Sequence, residues 1–296
     1  MSEMIAATAP DQPTLVDRGL WSVLRRRVTF WAPVAVLAVL GLIALLPGPI
    51  AMLFGGGDPR ACDLVDSALP PGPGHPFGTD LQGCDIYANV VFGTRTSLSI
   101  GLLTTALCLL VAIVLGTIAG YAGGILDTVI SRLTDVFLGF PFILGAIIVL
   151  NSLGKPDPVL VSLVLAFFSW PTMARLVRGA VRSVRGNDYV RAASVIGLSH
   201  VQIVLRHVLP NAIGPVLAIA ATFVGSVIVA ESTLTFLGVG LRAPTISWGL
   251  QLANAQSYVG TAPHMLLFPA LFLSITVLAL ITLGDTVRDA LDPKGR

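Results

Sequence analysis

The stretch NDYVRAASVIGLSHVQIVLRHVLPN, residues 187–211, predicts more of the fold than any other part of this 296-residue chain. It lies between two apolar segments and predicts two short helices rather than one. Asn187 is placed to cap the first helix, and Gly197 can adopt the left-handed conformation that ends it. Ser199 and Gln202, three positions apart, have the spacing of a capping box at the start of the second helix. The sequence therefore predicts a helical hairpin.

Both predicted helices are amphipathic, because their apolar residues recur at near-helical spacing. The first stripe consists of Tyr189, Val190, Ala193 and Ile196, and the second of Ile203, Leu205 and Leu209. The small pair Ala192 and Ala193 would allow another surface to approach the backbone closely. Pro210 lacks a backbone N–H and is predicted to end the second helix. An ordinary amphipathic hairpin would show the same stripes, so the stripes alone do not identify a function.

The composition indicates that the rest of the chain lies in lipid. Hydrophobic residues make up 54% of the sequence, charged residues 11%, and the mean hydropathy is +0.85. An ordinary soluble domain has about 25% charged residues. The sequence therefore predicts an all-α integral membrane protein. A net charge of +2 and a pI near 8.6 do not favour a nucleic-acid partner, and no basic run is interleaved with aromatic residues.

Hydropathy predicts six transmembrane helices. The predicted divisions are a cytoplasmic tail (1–30), a first transmembrane helix (31–54), an extracytoplasmic loop (55–97), a five-helix core (98–284) that contains the cytoplasmic loop 187–211, and a cytoplasmic C-terminus (285–296). Within the core, the predicted spans are 98–121, 134–153, 159–176, 212–230 and 264–283. With both termini in the cytoplasm, 14 of the 18 basic residues lie inside and 4 outside. The positive-inside rule favours this orientation.

Three residues within or beside the predicted spans are candidates for a pathway or a gate. Asp135 and Glu231 are ionisable, and such groups in membrane helices usually serve a function. Pro171 is predicted to kink the fourth span. Each has a second interpretation: Asp135 pairs with Arg132 near a helix end, Glu231 is an interfacial carboxylate bonded by backbone donors, and Pro171 only shapes the packing.

The cysteines and histidines favour structural roles. Cys62 and Cys84 lie in the predicted extracytoplasmic loop and are candidates for a disulfide, but spacing does not reveal geometry, so the bridge stays open. The four histidines are scattered over three loops and a helix start, which disfavours a metal site. The chain also lacks a Walker lysine motif, a dinucleotide-binding glycine turn and a nucleophile elbow.

The hairpin carries an ordered pattern that resembles the "EAA" cytoplasmic loop of ABC-importer permeases. The pattern consists of Tyr189, Val190, Ala192, Ala193, Gly197, Ile203, His207, Leu209, Pro210 and Asn211. In that family the loop is the coupling helix, which sits in a cleft of the ATP-hydrolysing subunit. Where the motif is named for a Glu, this chain has Arg191. The segments ILDTVISRLTDVFLGFP, ESTLTFLGVGLRAPTISWG and LGDTVRDALDP also resemble this family, and specifically its oligopeptide/dipeptide permease C subunits.

The resemblance implies a type I ABC-importer permease fold in the bacterial plasma membrane. This chain would form half of a translocation pathway for peptides, without being an enzyme. Its implied partners are a homologous second permease, cytoplasmic ATPase subunits and an extracytoplasmic peptide-binding protein, besides membrane lipid. No cofactor or metal is expected in this chain, since ATP and Mg would be bound by the ATPase. ATP binding would move the coupling helices and turn the pathway from inward to outward facing.

Other functions fit the sequence less well. A permease for nickel or another small solute, within the same importer family, is the main alternative. A secondary transporter or channel would need ionisable residues in the middle of its spans, and these are missing. A membrane-embedded enzyme would need several catalytic side chains at one depth. Only Asp135 and Glu231 are available, and the predicted topology places them near opposite faces of the membrane.

Overall fold

A computed structural model describes residues 24–25 and 28–291. Most of the predicted cytoplasmic tail, and the last five residues of the predicted C-terminus, lie outside this part of the chain. The described residues form a helical protein in which extended pairing is confined to isolated bridges in one loop. The helices are α1 (Val28–Leu45), α2 (Pro47–Phe54), α3 (Ile86–Ala122), α4 (Gly124–Gly139), α5 (Phe142–Ser152), α6 (Pro158–Arg185), α7 (Asp188–Val195), α8 (His200–Ile203), α9 (Leu209–Phe236), α10 (Trp248–Ala255) and α11 (His264–Leu291).

Five helical segments are long and apolar enough to cross a membrane: α1, α3, α6, α11 and the stretch His200–Phe236. This last stretch is continuous because a π-helical turn, Val204–Val208, joins α8 to α9. The pair formed by α4 and α5 passes the same test together and is bent by 80°. Counted as one broken span, this pair brings the total to six. The prediction of an all-α membrane protein with six spans is confirmed.

The third span differs from its prediction. It starts at Gly124 rather than at residue 134, and it breaks at Phe140 instead of running straight to residue 153. Phe140 has an extended backbone, with φ −89° and ψ 132°, because Pro141 follows it. The ring of a proline disfavours the helical conformation of the residue before it. Pro141 then occupies the N-cap position of α5.

The second span also starts earlier than predicted. The helix α3 begins at Ile86, so the last twelve residues assigned to the predicted loop 55–97 are helical. Asp85 starts this helix, since its carboxylate accepts hydrogen bonds from the N–H groups of Tyr87 (2.8 Å) and Ala88 (3.4 Å). Hydropathy alone did not identify residues 86–97 as helical, because this segment is mixed in polarity and contains Arg95.

Close packing of α3 against α6 forms the centre of the bundle. Gly116 and Gly120, four positions apart, place the two backbones in contact. A Cβ atom would lie 2.8 Å from the Ala174 carbonyl oxygen at the first position and 2.7 Å from the Arg178 carbonyl oxygen at the second. Small residues at this spacing are typical of close helix pairs in membranes.

The loop between α2 and α3 is an ordered substructure. Cys62 and Cys84 are joined by a disulfide across a sequence separation of 22, which settles the pairing that spacing left open. Asp80 holds the turn before the second cysteine by accepting from the N–H groups of Gln82 (2.8 Å) and Cys84 (2.9 Å). Burial raises the pKa of this aspartate above its ordinary value. Phe77 stacks on Phe268 of α11 at 4.0 Å, so the loop is anchored to the bundle.

Candidate functional site

The helical hairpin is formed as predicted at its turn. Gly197 has φ +88°, the left-handed conformation. Its N–H donates to the Ser194 carbonyl (3.2 Å), and the Leu198 N–H donates to the Ala193 carbonyl (3.2 Å). These two bonds make a Schellman motif, which satisfies carbonyls at the end of α7 that would otherwise lack partners. The turn is therefore held by backbone geometry rather than by packing.

The second helix of the hairpin begins with the predicted capping box. The Gln202 N–H donates to Ser199 Oγ (3.3 Å), and the Ser199 N–H donates to Gln202 Oε1 (3.1 Å). Asn187 occupies the N-cap position of α7, but its side chain makes no capping hydrogen bond, so that part of the prediction is wrong. Its backbone carbonyl instead accepts from the Val190 N–H (3.1 Å).

Pro210 does not end the hairpin, contrary to the prediction. It lies in the first turn of α9, where proline is tolerated, and the helix continues to Phe236. The preceding π-helical turn is closed by the Leu209 N–H donating to the Val204 carbonyl. This wider turn relieves the clash between the pyrrolidine ring and the preceding backbone that would break a regular α-helix. The second helix of the hairpin and the next membrane span therefore form one continuous helix.

The predicted apolar stripes divide between the interior and the surface. Val190, Ala193 and Ile203 are buried, with exposed fractions of 5%, 4% and 1%, and they join the same apolar cluster as the core of α6. The small size of Ala193 therefore serves internal packing, and it does not present a surface for a partner. Of the other predicted coupling residues, Ala192, Gly197 and Pro210 are exposed, and His207 and Leu209 are half-buried.

A set of apolar residues, three of them from the predicted stripes, lies exposed on the surface of the hairpin. We call this set the apolar patch. It consists of Tyr189, Val195, Ile196, Val201 and Leu205, with exposed fractions between 44% and 85%. The sequence pattern had missed Val195 and Val201, because apolar residues surround both short helices and spacing does not tell which face meets the bundle. An exposed cluster of this kind is typical of a protein interface.

Acidic residues of α4 pair with basic residues of α6. Arg178 binds Asp127 through two nitrogens, one of them at 2.8 Å from Oδ2. Asp135 contacts Arg132 (3.6 Å), as its second interpretation predicted, and also Arg175. These pairs fix the first half of the broken span against α6. Asp135 thus has a structural role in the described part of the chain.

The other two pathway candidates are buried. Pro171 lies inside α6, which continues through it, and its side chain packs into the bundle. Glu231 is completely buried near the end of α9. Its carboxylate accepts hydrogen bonds from Thr235 (2.9 Å), Ser232 (3.3 Å) and Ser247 (3.4 Å). The donors are therefore hydroxyl groups, and the expectation of backbone donors is wrong.

Through two of these hydroxyls Glu231 is linked to the segment of residues 237–247, at Leu241 in its middle and at Ser247 at its end. Thr235 Oγ1 accepts from the Leu241 N–H (3.1 Å), and Ser247 Oγ accepts from the Leu250 N–H (3.2 Å) at the start of α10. Since each hydroxyl has one proton, donating it to the carboxylate leaves its oxygen free to accept from the backbone. We call residues 237–247 the pinned segment.

The pinned segment forms one wall of a cavity of about 310 Å³ at the opposite end of α9 from the hairpin. The facing wall belongs to the disulfide-bridged loop, and the lining includes Arg60, Asp80, Cys84, Thr245, Gln251 and Asn254. Glu231 does not line this cavity. Its carboxylate is linked to the lining by the hydrogen bond that it accepts from Ser247.

Comparisons with known proteins agree with this architecture. Residues 112–296, which include the hairpin, match the model of the family described as "Binding-protein-dependent transport system inner membrane component". The chain is 38% identical over 282 residues to the "Oligopeptide transport system permease protein OppC" of Escherichia coli (strain K12), covering 94% of this chain and 93% of the relative. It is 37% identical over 235 residues to the "Dipeptide transport system permease protein DppC" of Bacillus subtilis (strain 168), covering 79% and 73%.

A solved structure supports the fold. A chain of the structure titled "Inward facing conformations of the MetNI methionine ABC transporter: CY5 SeMet soak crystal form" matches with a TM-score of 0.58 at 19% identity, covering 69% of this chain and 96% of the other. At this identity the match concerns the fold alone. Together with the apolar helices and the family match, these findings confirm the resemblance predicted from the hairpin. The chain belongs to the family of inner-membrane components of binding-protein-dependent transport systems, as a multi-pass permease of the plasma membrane.

Proposed function

We propose that this chain is one of two permease subunits of an ATP-driven importer of peptides. The relatives named for oligopeptide and dipeptide transport support the substrate class. The observation that carries the proposal is the exposed apolar patch on a hairpin that continues directly into a membrane span. ATP and Mg²⁺ bind to separate ATPase subunits, and the patch is the surface that those subunits contact. A homologous permease supplies the other half of the pathway, and an extracytoplasmic binding protein delivers the peptide.

The proposed coupling runs along one helix. The stretch from His200 to Phe236 has 37 residues. At 1.5 Å per residue it is about 55 Å long, enough to reach from one side of a membrane to the other. A movement of the apolar patch is therefore transmitted along α9 to Glu231, which ties the pinned segment to the same helix. We call the cavity walled by the pinned segment the outer cavity. In this mechanism its wall moves when the ATPases close.

The proposed orientation follows from this mechanism and from charge. The hairpin and both termini lie in the cytoplasm, with 14 of 18 basic residues on that side. The disulfide-bridged loop then faces the oxidising exterior, where disulfides persist. Labelling of an introduced cysteine in the hairpin from the cytoplasmic side only would support this orientation. Labelling from the outside would contradict it.

The experiment that tests the proposal is purification of the tagged complex in mild detergent, with ATPase activity measured in the presence of binding protein and peptide. Replacement of Ile196 by Asp places a charge within the apolar patch, at a side chain that is 77% exposed and whose loss costs little folding energy. The variant is expected to insert normally but to lose the ATPase subunits or their stimulation. Leu64→Asp is a matched control, because Leu64 is 76% exposed in the disulfide-bridged loop. Normal coupling in the Ile196 variant would refute the proposal.

A further inference from the structure

A second cavity lies beside the apolar patch, between the end of α3, the end of α6 and the hairpin. Its volume is about 500 Å³. Its lining includes Tyr121, Arg185, Val190, Arg191, His200 and Ile203. We call it the basic pocket. Among the described residues, all the charged ones in the lining are cationic, and no aspartate or glutamate contributes to it.

The two arginines of the basic pocket have little compensation from carboxylates in the described part of the chain. The Arg185 guanidinium lies over the ring of Tyr121, with its central carbon 5.7 Å from the ring centroid, and no carboxylate of the described residues forms an ion pair with it. Arg191 approaches Asp188 only at 4.0 Å, and that carboxylate is fully exposed to solvent. An exposed pair at this distance contributes little. Both guanidinium groups therefore keep donors for another partner.

The walls and floor of the pocket suit an anion. Tyr121 Oη lies 3.1 Å from His200 Nδ1, which fixes one wall. The floor contains Val190 and Ile203, whose side chains are almost completely buried. A carboxylate that enters beside this apolar floor is partly removed from water, so its hydrogen bonds to the guanidinium groups become stronger than at an open surface.

We propose that the basic pocket receives an acidic side chain of the ATPase subunit and thereby selects which ATPase binds. This inference rests on the proposed function, since it names the chemistry of the partner at the same surface. The pocket and the apolar patch share the helix α7: Val190 and Arg191 line the pocket, and Tyr189 and Val195 belong to the patch. A protein that covers the patch therefore brings its own side chains over the mouth of the pocket. Charge complementarity then requires that one of them be Asp or Glu.

Arg191→Glu is the variant that tests this inference. The side chain is 74% exposed, so the reversal of charge leaves the fold intact. The ATPase that co-purifies with the wild-type complex is titrated onto complexes stripped of it, at about 0.05 to 0.5 M NaCl, because screening distinguishes charged contacts from apolar ones. We expect Arg191→Glu to weaken ATPase binding by about 10- to 100-fold at low salt, and Arg191→Gln by less. Arg206→Glu is the matched control, an exposed arginine of the same hairpin outside the pocket, with an expected change below about threefold.

A reciprocal change identifies the partner group. Replacing each exposed Asp and Glu of that ATPase by Lys is expected to yield one variant that binds wild type poorly and restores binding to Arg191→Glu. If no such variant exists, or if Arg191→Glu binds the ATPase as tightly as Arg206→Glu does, the inference is wrong. Loss of binding in Ile196→Asp alone would then leave the proposed function standing. Unchanged ATPase binding in both Ile196→Asp and Arg191→Glu would contradict both the inference and the proposed function.

A free anion in the pocket is the remaining outcome to distinguish. Inorganic phosphate is titrated onto the stripped complex, with and without Arg191→Glu. Phosphate binding that depends on Arg191, together with ATPase binding that does not, would overturn the inference in favour of a site for a soluble anion. ATPase binding that depends on Arg191 and is not displaced by phosphate supports it.

Discussion

The hairpin and the pinned segment lie at the two ends of one helix and are stabilised in opposite ways. The hairpin is held by local backbone bonds at Gly197 and Ser199, and it leaves its apolar patch exposed. The pinned segment is held by a buried carboxylate, Glu231, which binds two nearby hydroxyls on its own helix, those of Ser232 and Thr235, and the hydroxyl of Ser247, sixteen positions away. A region that must be contacted is shaped by short-range bonds and keeps its surface free. The pinned segment, which is proposed to move with α9, is tied to that helix by buried side-chain hydrogen bonds.

The largest expected effect is at Glu231. Glu231→Ala removes the acceptor for three buried hydroxyls and leaves a void, so we expect a loss of about 2–4 kcal/mol in the free energy of unfolding. Thermal unfolding of the purified protein in detergent measures this. Glu231→Gln keeps one carbonyl acceptor and is expected to lose less than half as much. Equal stability of Glu231→Ala and wild type would show that the carboxylate does not hold the pinned segment.

The disulfide that faces the pinned segment is expected to contribute next. Replacing both Cys62 and Cys84 by Ser opens a loop closed over a sequence separation of 22. We expect a loss of about 2–3 kcal/mol, from the added freedom of the unfolded loop. Limited proteolysis between residues 55 and 85 is the readout. Replacement of Cys108, which is buried and unpaired, serves as the control for cysteine loss. Equal protease resistance with and without the bridge would contradict the prediction.

At the hairpin, Gly197→Val is expected to uncouple transport with a small effect on global stability. A Cβ atom would meet nothing within 4 Å among the described residues, so the cost comes from the left-handed backbone. For a β-branched residue this is about 1–3 kcal/mol, confined to the turn. Peptide-stimulated ATPase activity measures the effect. Asn tolerates this conformation better, so Gly197→Asn should retain most activity. Equal loss in both variants would mean that conformation is not the cause.

The smallest expected effect is at the capping box. Ser199→Ala removes the acceptor for the Gln202 N–H and should cost about 1 kcal/mol. Because α8 continues into α9, the helix is expected to fray by one turn rather than unfold. Hydrogen exchange of the amides of residues 200–203 measures this loss. Unchanged protection in Ser199→Ala would show that continuity with α9, and not the cap, determines the stability of this end.

The sequence predicted the local features of the hairpin better than the contacts at the far end. The left-handed glycine and the capping box depend on residues within four positions of each other, so spacing was sufficient. The π-helical turn that accommodates Pro210 was missed because it depends on backbone geometry. The early start of α3 was missed because the Asp85 cap begins a helical segment of mixed polarity, which hydropathy does not identify. The bond between Glu231 and Ser247 joins positions sixteen apart. No spacing rule identifies such a pair, and no pattern showed which apolar stripe would face the bundle.

The most direct test of the coupling account is the labelling rate of a cysteine introduced at Asn254, which lines the outer cavity, with and without a non-hydrolysable ATP analogue. Cys62 and Cys84 are bridged and Cys108 is buried, so the introduced thiol is the reactive one in the described part of the chain. The account predicts that the analogue changes this rate in the complex, and that Ile196→Asp abolishes the change. A labelling rate that the analogue does not change, or that it changes equally in the Ile196→Asp complex, would contradict the transmission of movement from the apolar patch through α9.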